Sequence, residues 1–396
     1  MTSAPAPGRD TPPAPPLPRY GQASLADLTS SLLSALDVPG FANPLGIEPL
    51  RRACLLVVDG LGWEALRASR AAAPLLWQAS EHGMALTAGF PSTTATSLAS
   101  IGTALPPARH GLVGYTIALP GLDRPLNCLR WSSYGSGSKD LRGQFVPERL
   151  QPEPTAFERA AGDGVEVTLL GKREYANSGF TRAALRGGRY SATHSVGDEA
   201  ASALRAVGSG RRSLVYAYHP DLDRTGHVRG VASEAWRLQL AHIDLLARQL
   251  TERLPGDAAL VVTGDHGMVD LRPEQRIDLA EEPGLADGVR LLAGEARARH
   301  VHAKRGAAGD VLDTWRALLG HAMWVVPGEE AIDAGWFGPD LPDRLRPRVG
   351  DVVAAAYGPV GVVQRAVDPT QASLTGHHGS LTSAEQLVPF LEIRSS

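Results

Sequence analysis

The chain has 396 residues, of which 43% are hydrophobic and 20% are charged. These values are typical of folded globular proteins and exclude the disordered and fibrous classes. The formal net charge is −3 at pH 7 and no long basic run occurs. We therefore expect neither a nucleic-acid duplex nor a membrane surface as a partner, and a small-molecule substrate becomes the default.

The first residues differ in composition from the rest of the chain. Seven of the first twenty residues are prolines, so residues 1–22 are predicted to form an extended, disordered tail before a folded region at 23–396. This start lacks the apolar stretch of a signal peptide, and no apolar run approaches the roughly 18 residues of a membrane span. The two cysteines are Cys54 and Cys128, and Cys54 lies in an apolar run that is typical of a buried free thiol. These features predict a cytoplasmic protein.

Four apolar runs predict strands of a buried parallel sheet. Each stops abruptly at polar residues, and continuous apolar runs are typical of strands that are covered on both faces. Segments with apolar residues at helical spacing lie between them. The predicted strands are 53–60, 165–172, 213–221 and 258–267, and the predicted helices are 24–38, 94–105, 156–164, 233–254 and 311–320. This alternation predicts an α/β fold with a doubly wound, mostly parallel central sheet flanked by helices.

Two regions break the alternation. Residues 116–155 are rich in Gly, Pro and Ser, which predicts a loop-rich insertion beside a functional site. Residues 288–360 contain short strand-like pieces around one helix, which predicts a small α+β cap subdomain. No internal repeat occurs, so we expect neither a solenoid nor a propeller.

Carboxylates follow three of the four predicted strands. Asp59 comes after the first, Asp221 and Asp223 after the third, and Asp265 after the fourth. In open α/β sheets, ligands bind at the carboxyl ends of the strands. A single aspartate there is commonly a helix cap or a turn residue, but three such positions at one sheet edge indicate a shared site.

Four histidines add to this pattern. His227 lies four residues after Asp223, His266 directly follows Asp265, and the pair His377 and His378 lies near the C-terminus. Aspartate and neutral histidine suit zinc, and two neighbouring metal sites need about six such groups. The pattern therefore predicts metal binding, and the same ligands also accept manganese or a mixed pair.

A cluster of hydroxyl groups lies where one predicted helix begins. The segment FPSTTATS, residues 90–97, places them at the start of the helix at 94–105. The unpaired N–H groups and the positive dipole end of a helix stabilise a phosphate or another anion. An ordinary helix cap accounts for the hydroxyls alone, whereas hydroxyls together with metal ligands indicate a nucleophile.

The motifs LLVVDG, FPSTTATS, DLDRTGH, TGDHGM and HHGSLT, in this order, resemble those of the alkaline phosphatase superfamily. Within it, they resemble the nucleotide pyrophosphatase/phosphodiesterase (type I phosphodiesterase) family, over nearly the whole folded chain. The resemblance implies a hydrolase that acts on ester bonds. It further implies a zinc-dependent phosphodiesterase or nucleotide pyrophosphatase with two Zn²⁺ ions and a phosphothreonine intermediate.

By position, the resemblance implies that Thr94 attacks phosphorus and also contacts the first metal. The other ligands that it implies for this metal are Asp59, Asp265 and His266. For the second metal it implies Asp223, His227 and a C-terminal histidine. His378, directly before Gly379, fits the family's motif better than His377, and the choice between the two stays open. Asp221 becomes a supporting or turn residue.

The chain departs from the family in the segment 109–116, RHGLVGYT, which lacks the asparagine that helps relatives to hold a phosphoryl oxygen. Tyr115 stands nearest that position, and Thr93 replaces a lysine that several relatives carry before the nucleophile. These departures leave the metal chemistry intact and concern the substrate contacts. Further candidates for such contacts are Asn127, Trp131, Lys172, Arg173, Asn177, Phe180 and Arg182.

Three functions stay open at this point. The first is a zinc-dependent phosphodiesterase or nucleotide pyrophosphatase, acting on a small phosphate ester or nucleotide-like substrate. The second keeps the same site but acts on phosphomonoesters or phosphonates. The third is a non-catalytic metal-binding protein on the same fold. A sulfatase is disfavoured because Thr94 is neither Cys nor Ser.

Overall fold

The fold is seen in a computed structural model, which describes residues 13–394. The strands are β1 Arg52–Val58, β2 Met84–Thr87, β3 Thr116–Ile117, β4 Leu126–Asn127, β5 Ser132–Ser133, β6 Glu166–Gly171, β7 Arg189–Ala192, β8 Ser213–His219, β9 Ala258–Gly264, β10 Val269–Asp270, β11 Arg276–Asp278, β12 Val289–Glu295, β13 Ala298–Ala303, β14 Met323–Pro327, β15 Val352–Ala356, β16 Gly361–Val363, β17 Gly376–His377 and β18 Leu387–Arg394. The helices are α1 Leu25–Ala35, α2 Trp63–Arg67, α3 Pro74–Ala79, α4 Thr94–Thr103, α5 Pro107–His110, α6 Pro147–Leu150, α7 Ala156–Gly162, α8 Gly179–Ala184, α9 Val196–Val207, α10 Asp221–Arg229, α11 Glu234–Thr251, α12 Ala308–Leu319, α13 Gly328–Asp333, α14 Pro369–Ser373 and α15 Ser383–Gln386. Single 3₁₀ turns lie at Arg173–Tyr175, Pro273–Gln275 and Arg346–Arg348.

The central sheet has the strand order β2-β18-β9-β1-β8-β6-β7. Strands β9, β1, β8, β6 and β7 run parallel, whereas β18 is antiparallel to both of its neighbours. The prediction of a mostly parallel sheet is therefore confirmed. Its four predicted strands correspond to β1, β6, β8 and β9, and the sequence patterns did not indicate β2, β7 or β18.

Strand β1 shows why the sheet is buried on both faces. Leu55 and Val57 pack into one hydrophobic cluster with α1, α4 and α7. The alternate residues Leu56 and Val58 pack into a second cluster with α9 and α11 on the other face. Cys54 is free and buried in this second cluster, as predicted. A strand covered in this way needs apolar residues at every position, which explains its unbroken apolar run.

Two predicted helices begin at side-chain caps. In α7, the Thr155 hydroxyl accepts a hydrogen bond from the Glu158 N–H (3.0 Å), and the Glu158 carboxylate accepts one from the Thr155 N–H (2.9 Å). In α11, the Ser233 hydroxyl accepts from the Trp236 N–H at 3.2 Å. These bonds satisfy N–H groups that the first helical turn leaves unpaired. Within the described residues, no helix combines the length and the apolar character that crossing a bilayer needs.

The predicted strand at 213–221 ends earlier than expected. Strand β8 stops at His219, and Asp221 is the first residue of α10. Pro220 separates them because proline has no N–H group for a strand ladder and is well tolerated at a helix start. The carboxylates after this strand therefore lie on the first turn of a helix.

The two irregular regions contain small sheets of their own. Residues 116–155 hold the antiparallel sheet β3-β4-β5, and residues 288–360 hold the antiparallel sheet β12-β13-β15-β14. Helix α12 covers the second sheet with Trp315, whose side chain is fully buried. The guanidinium of Arg297, next to β13, is also buried and lies 2.6 Å from the Glu385 carboxylate. This ion pair joins the small subdomain to the C-terminal part of the chain.

The predicted N-terminal tail, residues 1–22, is only partly described, and residues 1–12 lie outside the described residues. The Tyr20 hydroxyl accepts a hydrogen bond from the Phe90 N–H and donates one to the Trp336 carbonyl, both at 3.0 Å. The folded part of the chain therefore begins before residue 22, because this aromatic side chain finds both packing and hydrogen-bond partners.

A buried histidine between the cap and the central part makes stability dependent on pH. His300 Nε2 donates to the Val113 carbonyl (2.9 Å), and its Nδ1 accepts from the Gly350 N–H (3.4 Å), so only the neutral ring fits. Burial lowers the pKa of His300 from 6.5 to about 3. The unfolded chain therefore takes up this proton first as the pH falls, and stability is lost between about pH 6.5 and pH 3.

We expect the free energy of unfolding to fall by about 2 kcal/mol between pH 7.5 and pH 5 through His300 alone. Denaturant unfolding of wild type and of His300→Gln at both pH values measures this contribution. The variant should be less stable than wild type at pH 7.5, but its free energy of unfolding should fall by about 2 kcal/mol less between pH 7.5 and pH 5. The exposed His82 offers the control His82→Gln, which should keep the wild-type pH dependence. Equal acid sensitivity of His300→Gln and wild type would contradict the assignment.

Candidate active site

The carboxyl ends of three neighbouring strands meet at the same level of the sheet. Val58, the last residue of β1, lies opposite His219 of β8 and Gly264 of β9. Asp59 and Asp265 are the next residues in the chain, and both are buried. The parallel register thus brings together two carboxylates that are more than two hundred positions apart in the sequence.

Backbone contacts hold the third carboxylate beside them. The Asp223 N–H donates to the Asp59 carbonyl, and the Gly60 N–H donates to Asp265 Oδ1, both at 3.0 Å. Gly60 has a φ of +76°, and a Cβ atom there would lie 2.9 Å from the Asp223 Cα. Glycine is required at this position by its backbone conformation and by the close approach of α10.

Asp59, Asp265 and His266 form the first group of metal-type ligands. One ligand atom from each lies within 4.8 Å of the other two. His266 Nε2 is 3.4 Å from Asp59 Oδ1 and 3.5 Å from Asp265 Oδ2. These three residues were predicted to share a metal.

Thr94 lies directly beside this group. It is the first residue of α4, preceded by the cap residue Thr93, and its Oγ1 is 3.1 Å from His266 Nε2. Only 7% of its surface is exposed. The first-turn N–H groups of a helix lack partners within the helix, so α4 directs positive partial charge at this hydroxyl.

A second group adjoins the first. Ligand atoms of Asp223, His266 and His378 lie within 4.8 Å of one another. His227, which was predicted as the third ligand here, is outside this set, but its Nε2 lies 3.3 Å from Asp223 Oδ2. The rings of His266 and His378 are stacked with centroids 3.6 Å apart. The predicted residues of both sites thus converge on one cluster.

The three histidines of the cluster have the same tautomer. Each Nδ1 donates to a backbone carbonyl, which leaves the Nε2 lone pair facing the carboxylates. The pairs are His266 with Gly267 (3.0 Å), His227 with Gly376 (2.7 Å) and His378 with Ser92 (3.0 Å). Histidines that bind metals commonly have this second hydrogen bond, which fixes the ring and its free nitrogen.

Three carboxylate oxygens in the cluster are buried without any hydrogen-bond partner. They are Asp59 Oδ1, Asp223 Oδ1 and Asp265 Oδ2. Burial, followed by the charges of Asp223 and Asp265, raises the pKa of Asp59 well above its usual value. Unpaired buried carboxylates are costly, and a divalent cation removes this cost. The oxygens and the three free nitrogens therefore fit a pair of cations.

The ring of His377, the alternative to His378, is bonded to the backbone through its Nε2. Its Nε2 donates to the Leu374 carbonyl at 3.0 Å, and its backbone lies in β17, paired with β10. Burial lowers the pKa of His377 to about 3, so the ring is a neutral structural element. The geometry favours His378 as the ligand.

The segment that carries His378 is bonded to the segment that carries Thr94. Ser92 donates from its N–H to the Gly379 carbonyl (3.0 Å) and from its hydroxyl to the Ser380 carbonyl (2.6 Å). The Ser380 N–H in turn donates to the Glu385 carboxylate at 3.0 Å. The segment before Thr94, the segment that carries His378 and, through the Arg297–Glu385 ion pair, the sheet β12-β13-β15-β14 are therefore held in one network.

A cavity of about 550 Å³ opens above the cluster. Asp59, Thr94, Asp223, His227 and His378 line it, together with residues of the insertion and of the segment 367–377. A smaller, mainly apolar cavity of about 110 Å³ borders Thr94 on another side. Thr94 therefore borders two cavities, of which the smaller one is mainly apolar.

Some of the residues predicted to contact the substrate line this cavity, and others do not. Tyr115, Asn127 and Lys172 line it, although the Lys172 ammonium is paired with Asp221 at 2.7 Å. Arg182 does not line it. Its guanidinium forms two bonds with the Glu148 carboxylate, at 2.7 and 2.8 Å, and is therefore engaged elsewhere.

The remaining candidates also lie away from the large cavity. Trp131 is fully buried and donates from Nε1 to the Phe145 carbonyl. Phe180 lines the smaller apolar cavity. Arg173 and Asn177 line neither cavity among the described residues. The Trp131 ring therefore serves to pack the insertion.

Glu295 also lies at the site, although no sequence motif indicates it. It is the last residue of β12, it lines the cavity, and its Oε1 is buried without a partner. Its Oε2 lies 3.5 Å from His378 Nδ1, and burial raises the pKa of Glu295 to about 8. No motif surrounds it in the sequence, since the hairpin of β12 and β13 brings it to the site from outside the central sheet.

Comparisons with solved structures show the same fold in several phosphate and phosphonate hydrolases. Human ectonucleotide pyrophosphatase/phosphodiesterase 5 has 19% sequence identity and a TM-score of 0.61, covering 86% of this chain and 87% of that one. An inactive variant of the murine enzyme, in complex with AMP, has 18% identity and a TM-score of 0.62, with the same coverage. Phosphonoacetate hydrolase from Sinorhizobium meliloti 1021, in complex with phosphonoformate, has 17% identity and a TM-score of 0.63, covering 88% and 91%.

The family of this chain is shown by the match of its sequence to a family profile. The comparison with curated proteins gave no match. The profile named type I phosphodiesterase / nucleotide pyrophosphatase, in contrast, matches residues 53–381, which include every ligand of the cluster and Thr94. The chain therefore belongs to the type I phosphodiesterase/nucleotide pyrophosphatase family of phosphoric ester hydrolases.

Proposed function

We propose that this protein is a zinc-dependent phosphodiesterase or nucleotide pyrophosphatase that works through a phosphothreonine intermediate. The observation that carries the proposal is the Thr94 hydroxyl, 3.1 Å from His266 Nε2 and adjacent to two groups of buried ligands. Carboxylate oxygens and neutral imidazoles are the ligand set that zinc prefers. Asp59, Asp265, His266 and Thr94 would hold one ion, and Asp223, His227 and His378 the other.

The chemistry divides between the ions and the chain. When bound, the ions supply the positive charge that lowers the pKa of the Thr94 hydroxyl and stabilises the departing oxygen. Thr94 Oγ1 forms a bond to phosphorus while the bond from phosphorus to the leaving alcohol breaks. Water then attacks the phosphothreonine, which releases the product and restores the hydroxyl. The first-turn N–H groups of α4 stabilise the negative phosphoryl oxygens in both steps.

The surroundings of Thr94 support a diester substrate over a monoester. A diester carries an organic group on each side of phosphorus, and both the large cavity and the apolar cavity border Thr94. Tyr175 and Tyr218 line both cavities and form the wall between them. A monoester would leave one of these spaces filled only by water.

We expect the purified protein to release p-nitrophenol from bis(p-nitrophenyl) phosphate faster than from p-nitrophenyl phosphate. Treatment with EDTA should abolish the activity because the ligand cluster loses its ions, and Zn²⁺ should restore it. Faster turnover of the monoester would favour a phosphomonoesterase with the same site. An absence of turnover on both esters, with and without EDTA, would favour a non-catalytic metal-binding protein.

A further inference from the structure

The side-chain amide of Asn127 has a fixed orientation in the cavity wall. Its Oδ1 accepts hydrogen bonds from the N–H groups of Leu129 (3.1 Å) and Arg130 (3.0 Å). A carbonyl oxygen can accept two bonds and an amide NH₂ group cannot accept any, so these two donors determine which amide atom is oxygen. Nδ2 is therefore the atom that lies 2.7 Å from the Tyr115 hydroxyl.

The orientation of the Asn127 amide determines whether the Tyr115 hydroxyl accepts or donates in this hydrogen bond. Since Asn127 donates to the Tyr115 oxygen, the hydroxyl proton is left to donate to another group. Among the described residues, no acceptor for this proton is bound to Tyr115. Burial raises the pKa of Tyr115, so the group keeps its proton at neutral pH.

The local fold holds the pair rigidly at the edge of the catalytic cavity. Strands β3 and β4 pair at Thr116 and Asn127, and the Cys128 N–H donates to the Tyr115 carbonyl at 2.9 Å. The Thr116 hydroxyl donates to the Gly294 carbonyl at 2.8 Å, which ties β3 to the cap hairpin. Tyr115 and Asn127 line the same cavity as Thr94.

We propose that Tyr115 donates its hydroxyl proton as a hydrogen bond to a non-bridging phosphoryl oxygen, and that Asn127 is the positioning residue that makes this hydroxyl a donor. The inference rests on the function proposed above and names a substrate contact within that site. The contact stabilises the oxygens on which negative charge is concentrated in the transition state. Tyr115 lines the same cavity as Asp59, Thr94 and His378, so its hydroxyl would add a hydrogen-bond donor of the chain to the positive charge that the ions would supply.

Tyr115→Phe should lower kcat for bis(p-nitrophenyl) phosphate by about 10- to 100-fold, the effect of losing one hydrogen bond to a charged oxygen. KM should change less. Binding of orthovanadate, measured by calorimetry, should weaken to a similar extent, because bound vanadate resembles the five-coordinate transition state. Metal content should stay at the wild-type value.

Asn127→Asp tests the positioning role with a side chain of the same shape. One carboxylate oxygen can keep the two backbone bonds, but the other oxygen can only accept, so the Tyr115 proton turns toward it and away from the substrate. We expect a loss of kcat similar to that of Tyr115→Phe. The double variant should be no worse than either single variant, because both remove the same hydrogen bond.

The outcomes separate this inference from the proposed function. Wild-type turnover of the diester together with a Tyr115→Phe kcat within about threefold of wild type would overturn the inference alone. An additional loss when Asn127→Asp is combined with Tyr115→Phe would show that the new charge, and not the turned hydroxyl, lowers activity, and would overturn the positioning role. Wild type without turnover would overturn the proposed function and the inference together.

Discussion

Thr94→Ala should lower the turnover of a phosphodiester by at least about a hundredfold, because it removes the atom that forms the bond to phosphorus. The substitution removes the hydroxyl and the γ-methyl group but keeps Cβ, and the cap residue Thr93 is unchanged, so the start of α4 should survive. Metal content by elemental analysis should stay close to the wild-type value, since the carboxylates and imidazoles remain. Stopped-time assays with bis(p-nitrophenyl) phosphate measure the loss.

Thr103→Ala is the matched control for this variant. Thr103 is the last residue of the same helix, is also buried, and donates its hydroxyl to the Ala99 carbonyl at 2.7 Å. Its loss should reduce stability slightly and leave turnover within about twofold. Thr94→Ser keeps a hydroxyl and should retain measurable turnover. Turnover of Thr94→Ala within about tenfold of wild type would show that Thr94 is not the nucleophile.

His378→Gln should bind about one zinc ion per chain where wild type binds about two, and its diesterase activity should fall with the lost ion. His378 Nε2 lies 3.9 Å from the unpartnered Asp223 Oδ1 and provides the nitrogen on that side of the second group. The neighbouring variant His377→Gln is the control. His377 uses its Nε2 for the Leu374 carbonyl, so its replacement should leave both ions in place. Equal metal content in the two variants would contradict the ligand assignment.

Asp265→Asn extends the metal test to the first ion with little disturbance of the fold. Asp265 Oδ1 accepts from the N–H groups of Gly60 and His266, whereas its Oδ2 is the unpartnered oxygen. An asparagine can keep Oδ1 in place and puts an NH₂ group where the ion would lie. Without metal, the unfolding temperature of the variant should therefore equal or exceed that of wild type. After incubation with zinc, the variant should bind fewer zinc ions than wild type. A variant that retains two ions would exclude Asp265 as a ligand.

The sequence predicts the centre of this fold well because the centre obeys simple rules. Strand β1 is covered on both faces, so all of its residues are apolar after Arg52 and the polar residue Asp59 marks where it ends. The same rule locates Asp265 after β9. Parallel register then brings Asp59 and Asp265 together, which is why a shared position for these two carboxylates could be predicted from the strand ends.

The edge strands of the sheet and the cavity wall could not be predicted in the same way, because they depend on contacts between residues that are remote in the sequence. Strand β18 contains Pro389, which is unusual inside a sheet, and its antiparallel direction is set only by pairing with β2 and β9. Glu295 reaches the site from a separate hairpin, and Arg182 is drawn away from the cavity by Glu148. Long polar side chains have many partners within reach, so their position depends on tertiary packing more than on sequence pattern.

The position of β18 has a consequence for how the chain acquires its native state. Strand β2 enters the central sheet by pairing with β18, although about three hundred residues separate the two strands. Closing a loop of this length is slow, and pairing between remote segments dominates the folding rate of such topologies. The parallel strands β1, β6 and β8 can associate earlier, and β2 has to wait for β18. The loop before Thr94 follows β2 directly, and its Ser92 is bonded to Gly379 and Ser380, shortly before β18. If Thr94 is the nucleophile, catalytic activity should therefore be among the last properties to emerge during refolding.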